Sequence, residues 1–426
     1  EIGGARIMSR ITGTVDLVAR SNLHLLTIIR TLHNLFAKRE KLEEIKRKIG
    51  HTQNKLNIDE VLNPDIIKTN TDGNSYVPFK EEYYGSGALI GGFAKLAGRP
   101  ILIMGPRNRY GLRSYQALIR ATELLITSRK LNTDQIIVLG DEWFRETYKT
   151  DALTLRARQE FLKLMTIKSK TRIHIATTVK GLQKVMLHSG ADAVIFIKDQ
   201  NYPEKDNEFI KNSSTHVVNS IPEAFDLSLK IIQLLSEKEE SSKIIVPDKK
   251  PELPENPTQP FDIVENIIQR VFDKDSFVEW WKEMNDPQKG PSLITGFAKL
   301  NGKTVAILAD QPIIMGGAPD APGTEKFRIF TELVERNQIP LIMLSNAPGF
   351  LPGTKQERLR IQQIGGRSLD VNVLSTIPII SVTLNQNYGG RQIHAFSKFL
   401  RPCIIAFSLR RSIMAVMGAD SAFDLF

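Results

Sequence analysis

The sequence predicts an α/β fold built as two similar halves, and three observations predict it. First, LIGGFAKLAG (Leu89–Gly98) returns as LITGFAKLNG (Leu293–Gly302), with eight of ten positions identical at an offset of 204. Each copy leads into an apolar strand, RPILIMG or KTVAILA, and then into a helical stretch carrying Thr-Glu-Leu at Thr122–Leu124 or Thr331–Leu333. So many matched positions in one order point to duplication. Second, β-branched strands alternate with helical stretches in each half, which implies mostly parallel sheets with helices packed outside. Third, prolines at 247, 251, 254, 257 and 260 stand between the copies. Each removes an amide donor and discourages helix, so a linker lying over the surface is expected.

The second half is read in order. TGFAKLNG and KTVAILAD pair as a hairpin, followed by the helix TEKFRIFTELVERNQ and the strand PLIMLS. One long helix, KQERLRIQQIGGRSLDVNVLS, precedes the strand PIISVTL; a helix starting near Arg391 and the strand CIIAF close the series. The expected organisation is a helical segment over 1–60, a first domain over 61–240, a linker over 241–260 and a second domain over 261–426 that is incomplete at its end.

Composition bounds the function. At 426 residues the chain suits two or three domains, and 41% hydrophobic with 24% charged residues is ordinary for a globular protein. The longest apolar runs, such as Val371–Leu384, are broken by Asn372, Ser375, Thr376 and Pro378, so no bilayer span is expected. The lone cysteine, Cys403, reads as a buried thiol on a strand; one cysteine forms no intramolecular disulfide and no zinc ribbon, and fits a reducing compartment. A net charge of +10 favours acidic partners: nucleic acid, membrane surface or a phosphorylated small molecule. The basic residues are spread out, however, and the densest stretch, from Ala37 to His51, alternates in sign as a solvated helix face does. No nucleic-acid recognition module is present. The seven histidines show no metal-ligand spacing, so no metal is expected. There is no phosphate loop, dinucleotide fingerprint or serine elbow. The opening on Glu1 and the stop at GADSAFDLF suggest a processed or trimmed chain, without a visible signal or transit segment.

Two strand-to-helix junctions could carry chemistry. In PIISVTLNQNYGGRQIHAF, Gly389 and Gly390 stand between a strand and a helix. The first helical amides lack an intrahelical partner and the dipole adds positive potential there. The N–H groups of Gly390 and Arg391 can therefore form an oxyanion hole, or the glycines can simply serve loop dihedrals. In NAPGFLPGTKQE, Pro348 and Pro352 stiffen a loop that Gly349 and Gly353 open, with Phe350 between them. A rigid ligand wall and a tight turn both fit that pattern. The first half offers GDEWFRETYKT at the matching place, with no proline or glycine after Gly140.

Taken together, ITGFAKLNG, DQPIIMGGAPD, FTELVERNQIPLIMLSNAPGFLPGTKQE, TIPIISVTLNQNYGG and AVMGADSA resemble the carboxyltransferase (β) subunit of biotin-dependent acyl-CoA carboxylases, propionyl-CoA carboxylase type. The first half resembles that family more weakly, through GGFAKLAGRP and STHVVNSIPEAFDLSLKIIQLL. The resemblance implies two duplicated crotonase-like (ββα-superhelix) domains, and transfer of a carboxyl group from carboxybiotin to the α-carbon of an acyl-CoA. It implies an active site shared between subunits, with the ureido anion left by CO₂ release taking the α-proton. It makes Gly390 and Arg391, with Gly389, the backbone oxyanion hole, and Tyr388, Pro348, Gly349, Phe350 and Gly353 the biotin site. The acyl-CoA site is expected near Gly181. Biotin would arrive on a separate carrier, since no Met-Lys-Met site is present. Expected partners are further carboxyltransferase subunits and a biotin carboxylase or biotin carrier subunit, in the cytoplasm or alternatively a mitochondrial matrix or plastid. The chain departs from the family pattern in DEWFRET, in the single Gly181 after RIHIATTVK, in Arg391 where the family has Ala, and in Asn346 where it has Asp. Those departures leave an alternative, a subunit without catalysis that serves assembly or binding.

Overall fold

The computed structural model describes residues 9–10, 16–36, 62–79, 86–107, 115–141, 152–167, 169–183, 185–198, 206–236, 249–285, 290–396, 404–418 and 423. Cys403, the Ala37–His51 stretch, Pro247 and the residues after Asp141 in GDEWFRETYKT lie outside them. The chain divides into two compact units, Glu1–Ile232 and Gln233–Phe426.

In the first unit, helices α1 (Asn22–Phe36) and α2 (Pro64–Asn70) precede strands β1 (Val77–Pro78), β2 (Leu89–Leu96) and β3 (Arg99–Pro106). Helix α2 starts where it does because Asn63 accepts from the Ile66 amide at 2.8 Å and Pro64 presets the first turn. There follow α3 (Tyr115–Lys130), β4 (Asp134–Leu139), α4 (Ala152–Thr166), β5 (Arg172–Ala176), α5 (Val179–Leu182) and α6 (Val185–His188). β6 (Ala193–Ile197), α7 (Asn207–Ser213), β7 (His216–Val218) and α8 (Ile221–Ser236) complete the series. The seven strands lie in chain order, antiparallel from β1 to β3 and parallel from β3 to β7. Strands β4, β5 and β6 are buried at every position, as strands covered on both faces are.

The second unit repeats the plan. β8 (Val278–Glu279), β9 (Leu293–Leu300) and β10 (Lys303–Asp310) are antiparallel neighbours. α9 (Ala321–Asn337), β11 (Leu341–Ala347), α10 (Thr354–Arg358), α11 (Ile361–Leu374), β12 (Ile379–Tyr388), α12 (Gly389–Phe396), β13 (Ile404–Ser408) and β14 (Ile413–Ala415) follow. The sheet order is β13-β12-β11-β10-β9-β8, with β14 beside the end of β12. The proline-rich residues are fastened to this unit: the Glu252 amide donates to Asn266 at 3.1 Å, and the Pro254 carbonyl accepts from Arg411 at 2.6 Å.

Three sequence expectations change here. The long helix from Lys355 is two helices, because Arg360 turns left-handed at φ 62° between α10 and α11. The strand before the Gly-Gly pair runs on to Tyr388, and the helix after it starts at Gly389 rather than near Arg391.

The duplication also reaches further upstream than the quoted repeat. Asp72 accepts from the amides of Ala97 and Gly98 at the first hairpin turn, as Asp273 does from Asn301 and Gly302 at the second. Ser75 and Ser276 likewise accept from the amides of Lys95 and Lys299. The sequence signal is DGNSYV against DKDSFV, at an offset of 201 rather than 204, so a fixed register misses it. One buried cation per unit comes from the helix crossing the hairpin. Arg120 donates to the carbonyls of Phe79, Leu89 and Gly91, and Lys326 donates to Leu293, the counterpart of Leu89, at 3.0 Å.

Burial pushes the Lys326 ammonium down to about 8 from 10.5, against the opposing pull of Glu279 and Asp320. Between those pH values the unfolded chain binds a proton that the fold has released. Stability is therefore held down below about pH 8 and rises by about 3 kcal/mol toward pH 10.5. Urea midpoints across that range should show the rise in the native chain and lose it in Lys326→Met.

Candidate active site

Strands β10, β11 and β12 end side by side, at the place where parallel sheets present ligand sites. Ile342, Leu344 and Leu384 face the apolar core that also holds Phe261, Ile294 and Ile307. The alternate positions face the helices, and at the strand ends they turn polar. Asp310 lies beside Ser345, which pairs with Thr383. Ser381, Thr383, Asn385 and Asn387 along β12 are all fully buried. The pairing shifts here, since Ser345 meets Thr383 but Ala347 meets Asn387. β12 thus takes four steps where β11 takes two, and this irregularity re-aims its end toward the loop after β11.

That loop is the NAPGFLPG stretch. Gly349 and Gly353 sit at φ 120° and 116°, backbone closed to other residues, and the Leu351 amide donates to Pro319 at 3.0 Å. The Phe350 ring stands edge-on to His394, with centroids 5.2 Å apart, and covers Gly390, where a Cβ would lie 3.3 Å from the ring. A Cβ on Gly349 would be nearest the Tyr388 carbonyl, at 3.9 Å. Gly389 turns left-handed at φ 57°, with the Val416 carbonyl 3.2 Å from where a Cβ would be. The structure therefore brings Gly349, Phe350, Tyr388, Gly389 and Gly390 together. Around Gly353, at the start of α10, a side chain would meet nothing within 4 Å.

The Met315–Gly317 turn backs this loop. Its three residues are all left-handed, at φ 51°, 65° and 90°, and Gly317 lies so close that a Cβ would be 2.0 Å from the Asn346 carbonyl. Gly316 approaches Pro348, and its carbonyl accepts from Gln386 at 3.5 Å. Sequence reasoning did not assign this turn a role; the Gly-Gly pair in IIMGGAPD was the available signal.

Arg391, which stands where the family pattern has Ala, folds its side chain inward, 1% exposed, with Nε and Nη2 donating to Asp310 Oδ1 at 3.0 and 2.9 Å. Its guanidinium carbon lies 5.3 Å from the centre of the Phe327 ring. The Gly390 and Arg391 amides belong to the first turn of α12, which has no intrahelical acceptor and carries the positive end of the dipole. Asn346 Oδ1 and Arg391 Nη1 are buried without a hydrogen-bond partner among the described residues. The first-turn donors beside the glycine-rich loop form a cradle that fits a flat polar group with a developing negative oxygen.

Gly181 offers no such opening. Its amide donates to Thr178 Oγ1 at 3.0 Å, capping a four-residue helix. A Cβ there would lie 2.9 Å from the carbonyls of Leu139 and Gly140, which explains the glycine by packing alone. Beside it, His174 and His188 approach at 3.1 Å between their Nδ1 atoms, and His188 Nε2 meets the Leu182 carbonyl at 3.1 Å. A carbonyl only accepts, so His188 carries its proton on Nε2 and His174 donates from Nδ1. Burial, then each other's charge and Arg172, hold His174 well below 6.5; burial also lowers His188. The unfolded chain therefore takes up protons first, and stability should fall as pH drops below 6.5. Thermal melts between about pH 5 and 7.5, on the native chain and on His188→Gln, check this.

The carboxyl transferase domain family matches residues 180–425, a span holding every residue of the cradle. A propionyl-CoA carboxylase beta chain of Roseobacter denitrificans is 33% identical over 173 residues, 41% of this chain and 32% of the relative. A biotin-dependent long chain acyl-coenzyme A carboxylase beta4 subunit of Mycobacterium tuberculosis is 34% identical over 173 residues, again 41% of this chain and 32% of the relative. These matches span about a third of the length of the curated relatives. Among solved structures, a transcarboxylase 12S, described as a hexamer with methylmalonyl-coenzyme A bound, aligns over 85% of this chain and 79% of its own, with a TM-score of 0.69 at 18% identity. That likeness establishes the shared fold.

Proposed function

This chain belongs to the carboxyl transferase domain family, and from that premise we propose that it moves a carboxyl group from carboxylated biotin to the α-carbon of an acyl-CoA. The observation that carries the reading is the junction of β12 and α12, where Gly389 and Gly390 open a helix start directly beneath Phe350. Biotin, borne on a separate carrier, supplies the carboxyl group when bound. The chain's own part is to bind, orient and exclude water. The amides of Gly390 and Arg391 hold an oxygen that gains negative charge. Pro348, Gly349, Phe350 and Tyr388 form the wall that orients the ring, while Gly353 lets the chain turn into α10.

In this proposal the acyl-CoA is held by first-unit residues other than the Gly181 amide. The partners in this proposal are further carboxyltransferase chains and a subunit bearing biotin; the relatives are named as a beta chain and a biotin-dependent beta4 subunit, and the transcarboxylase 12S as a hexamer. No described helix is long and apolar enough to cross a membrane, and a cytoplasmic setting belongs to the proposal. The test mixes the full chain with carboxylated biotin carrier and a panel of acyl-CoA thioesters, following carboxyl transfer alongside calorimetric CoA binding. Transfer to at least one thioester is expected. No transfer to any of them, together with no CoA binding, would overturn the reading.

A further inference from the structure

Asp310 stands where the two walls of the cradle meet, and it bonds to both. Its Oδ1 accepts from Arg391 in the first turn of α12, while its Oδ2 accepts from the Asn346 amide at 3.0 Å and the Ser345 hydroxyl at 3.1 Å. Asp310 itself ends β10, paired to Leu293, and is fully buried. We infer that Asp310 is a positioning residue that sets the spacing between the Gly390–Arg391 amides and the loop opening at Asn346. This rests on the carboxyltransferase reading of the same site.

The chemistry requires a carboxylate. Two oxygens, both acceptors, can serve a guanidinium on one side and an amide on the other at once. An asparagine has one acceptor oxygen. The adjacent guanidinium would claim it, leaving an NH₂ group facing the Asn346 N–H, two donors nose to nose. Arg391 in turn suits the distance: its planar fork reaches Asp310 with Nε and Nη2 while its face rests on Phe327. The contacts join residues 81 and 36 positions apart in sequence, so the spacing depends on this one carboxylate rather than on local turn geometry.

The experiment uses the full chain and reads transfer in reverse, with free biocytin as the carboxyl acceptor and methylmalonyl-CoA as the carboxyl donor, so that carboxybiocytin and propionyl-CoA are the products. Asp310→Asn should speed amide hydrogen exchange at 346–351 and Arg391→Met at 389–392; Asp310→Ala should speed both. Each variant should raise the KM for biocytin about tenfold and leave the KM for methylmalonyl-CoA within about twofold. A merely structural role would lower kcat with the folded fraction and move neither KM, and that result would overturn the inference. So would exchange that changes at only one segment in Asp310→Ala. Where a lone buried charge prevents folding, the double variant Asp310→Asn with Arg391→Met leaves no such charge. Native biocytin KM in that folded double variant would also overturn the inference. If the native chain neither binds biocytin nor transfers carboxyl groups, the functional reading fails by itself, and the exchange data still decide whether Asp310 ties the two segments.

Discussion

Gly390→Pro is expected to transfer carboxyl groups about 10²–10³ times more slowly than the native chain, a loss of about 2.7–4 kcal/mol of transition-state stabilisation. Proline is tolerated in the first turn of a helix because its missing N–H has no intrahelical partner there, so α12 should persist. What disappears is one donor aimed at the developing charge. The change also adds atoms beside Phe350, which calls for a control. In Gly390→Ala the amide remains and a Cβ stands 3.3 Å from the ring, so the neighbour must yield by a few tenths of an ångström. Alanine should therefore cost only a few-fold in rate, and the gap between the two variants isolates the donor. Equal rates for the two, in folded proteins, would remove the Gly390 amide from the mechanism.

The second large effect is expected at Gly317. Its φ of 90° strains any side chain, and a Cβ would stand 2.0 Å from the Asn346 carbonyl, so backbone has to move. Left-handed strain of about 1–3 kcal/mol and overpacking of about 1–3 kcal/mol together predict that Gly317→Ala loses about 2–6 kcal/mol. Denaturant titration measures the loss. The same change should weaken biocytin binding, because Asn346 leads into the wall at Pro348–Phe350. A neutral outcome at Gly316→Ala would be less informative, since a Cβ there meets only Pro348, at 4.0 Å.

Much of this architecture is legible in the chain itself. The repeated GFAKL segments state the two hairpins because a strand turning at Ala-Gly or Asn-Gly leaves few other foldings. The alternation of apolar strands with helices states the parallel sheets, and the prolines and glycines of NAPGFLPG mark a loop with special dihedrals. The side-chain network is not legible. Nothing in the periodicity around Arg391 says that its guanidinium turns inward to a carboxylate 81 residues earlier. The break at Arg360 is hidden for a similar reason, because an arginine at φ 62° carries no glycine signal. At Gly181 the sequence shows a glycine near a helix start but not the packing against the end of β4 that accounts for it.

The two buried cations under the hairpins bear on how the chain reaches its fold. Halves that share eight of ten hairpin residues can offer each other their strands while folding, a hazard of internally repeated proteins. The crossing helices have diverged just where such an exchange would be read. Arg120 brings a fork that reaches three carbonyls, whereas Lys326 brings a single ammonium to one. A helix seated on the wrong hairpin would bury donors without acceptors, or acceptors without donors, so the mismatch discourages the swap before either sheet is complete.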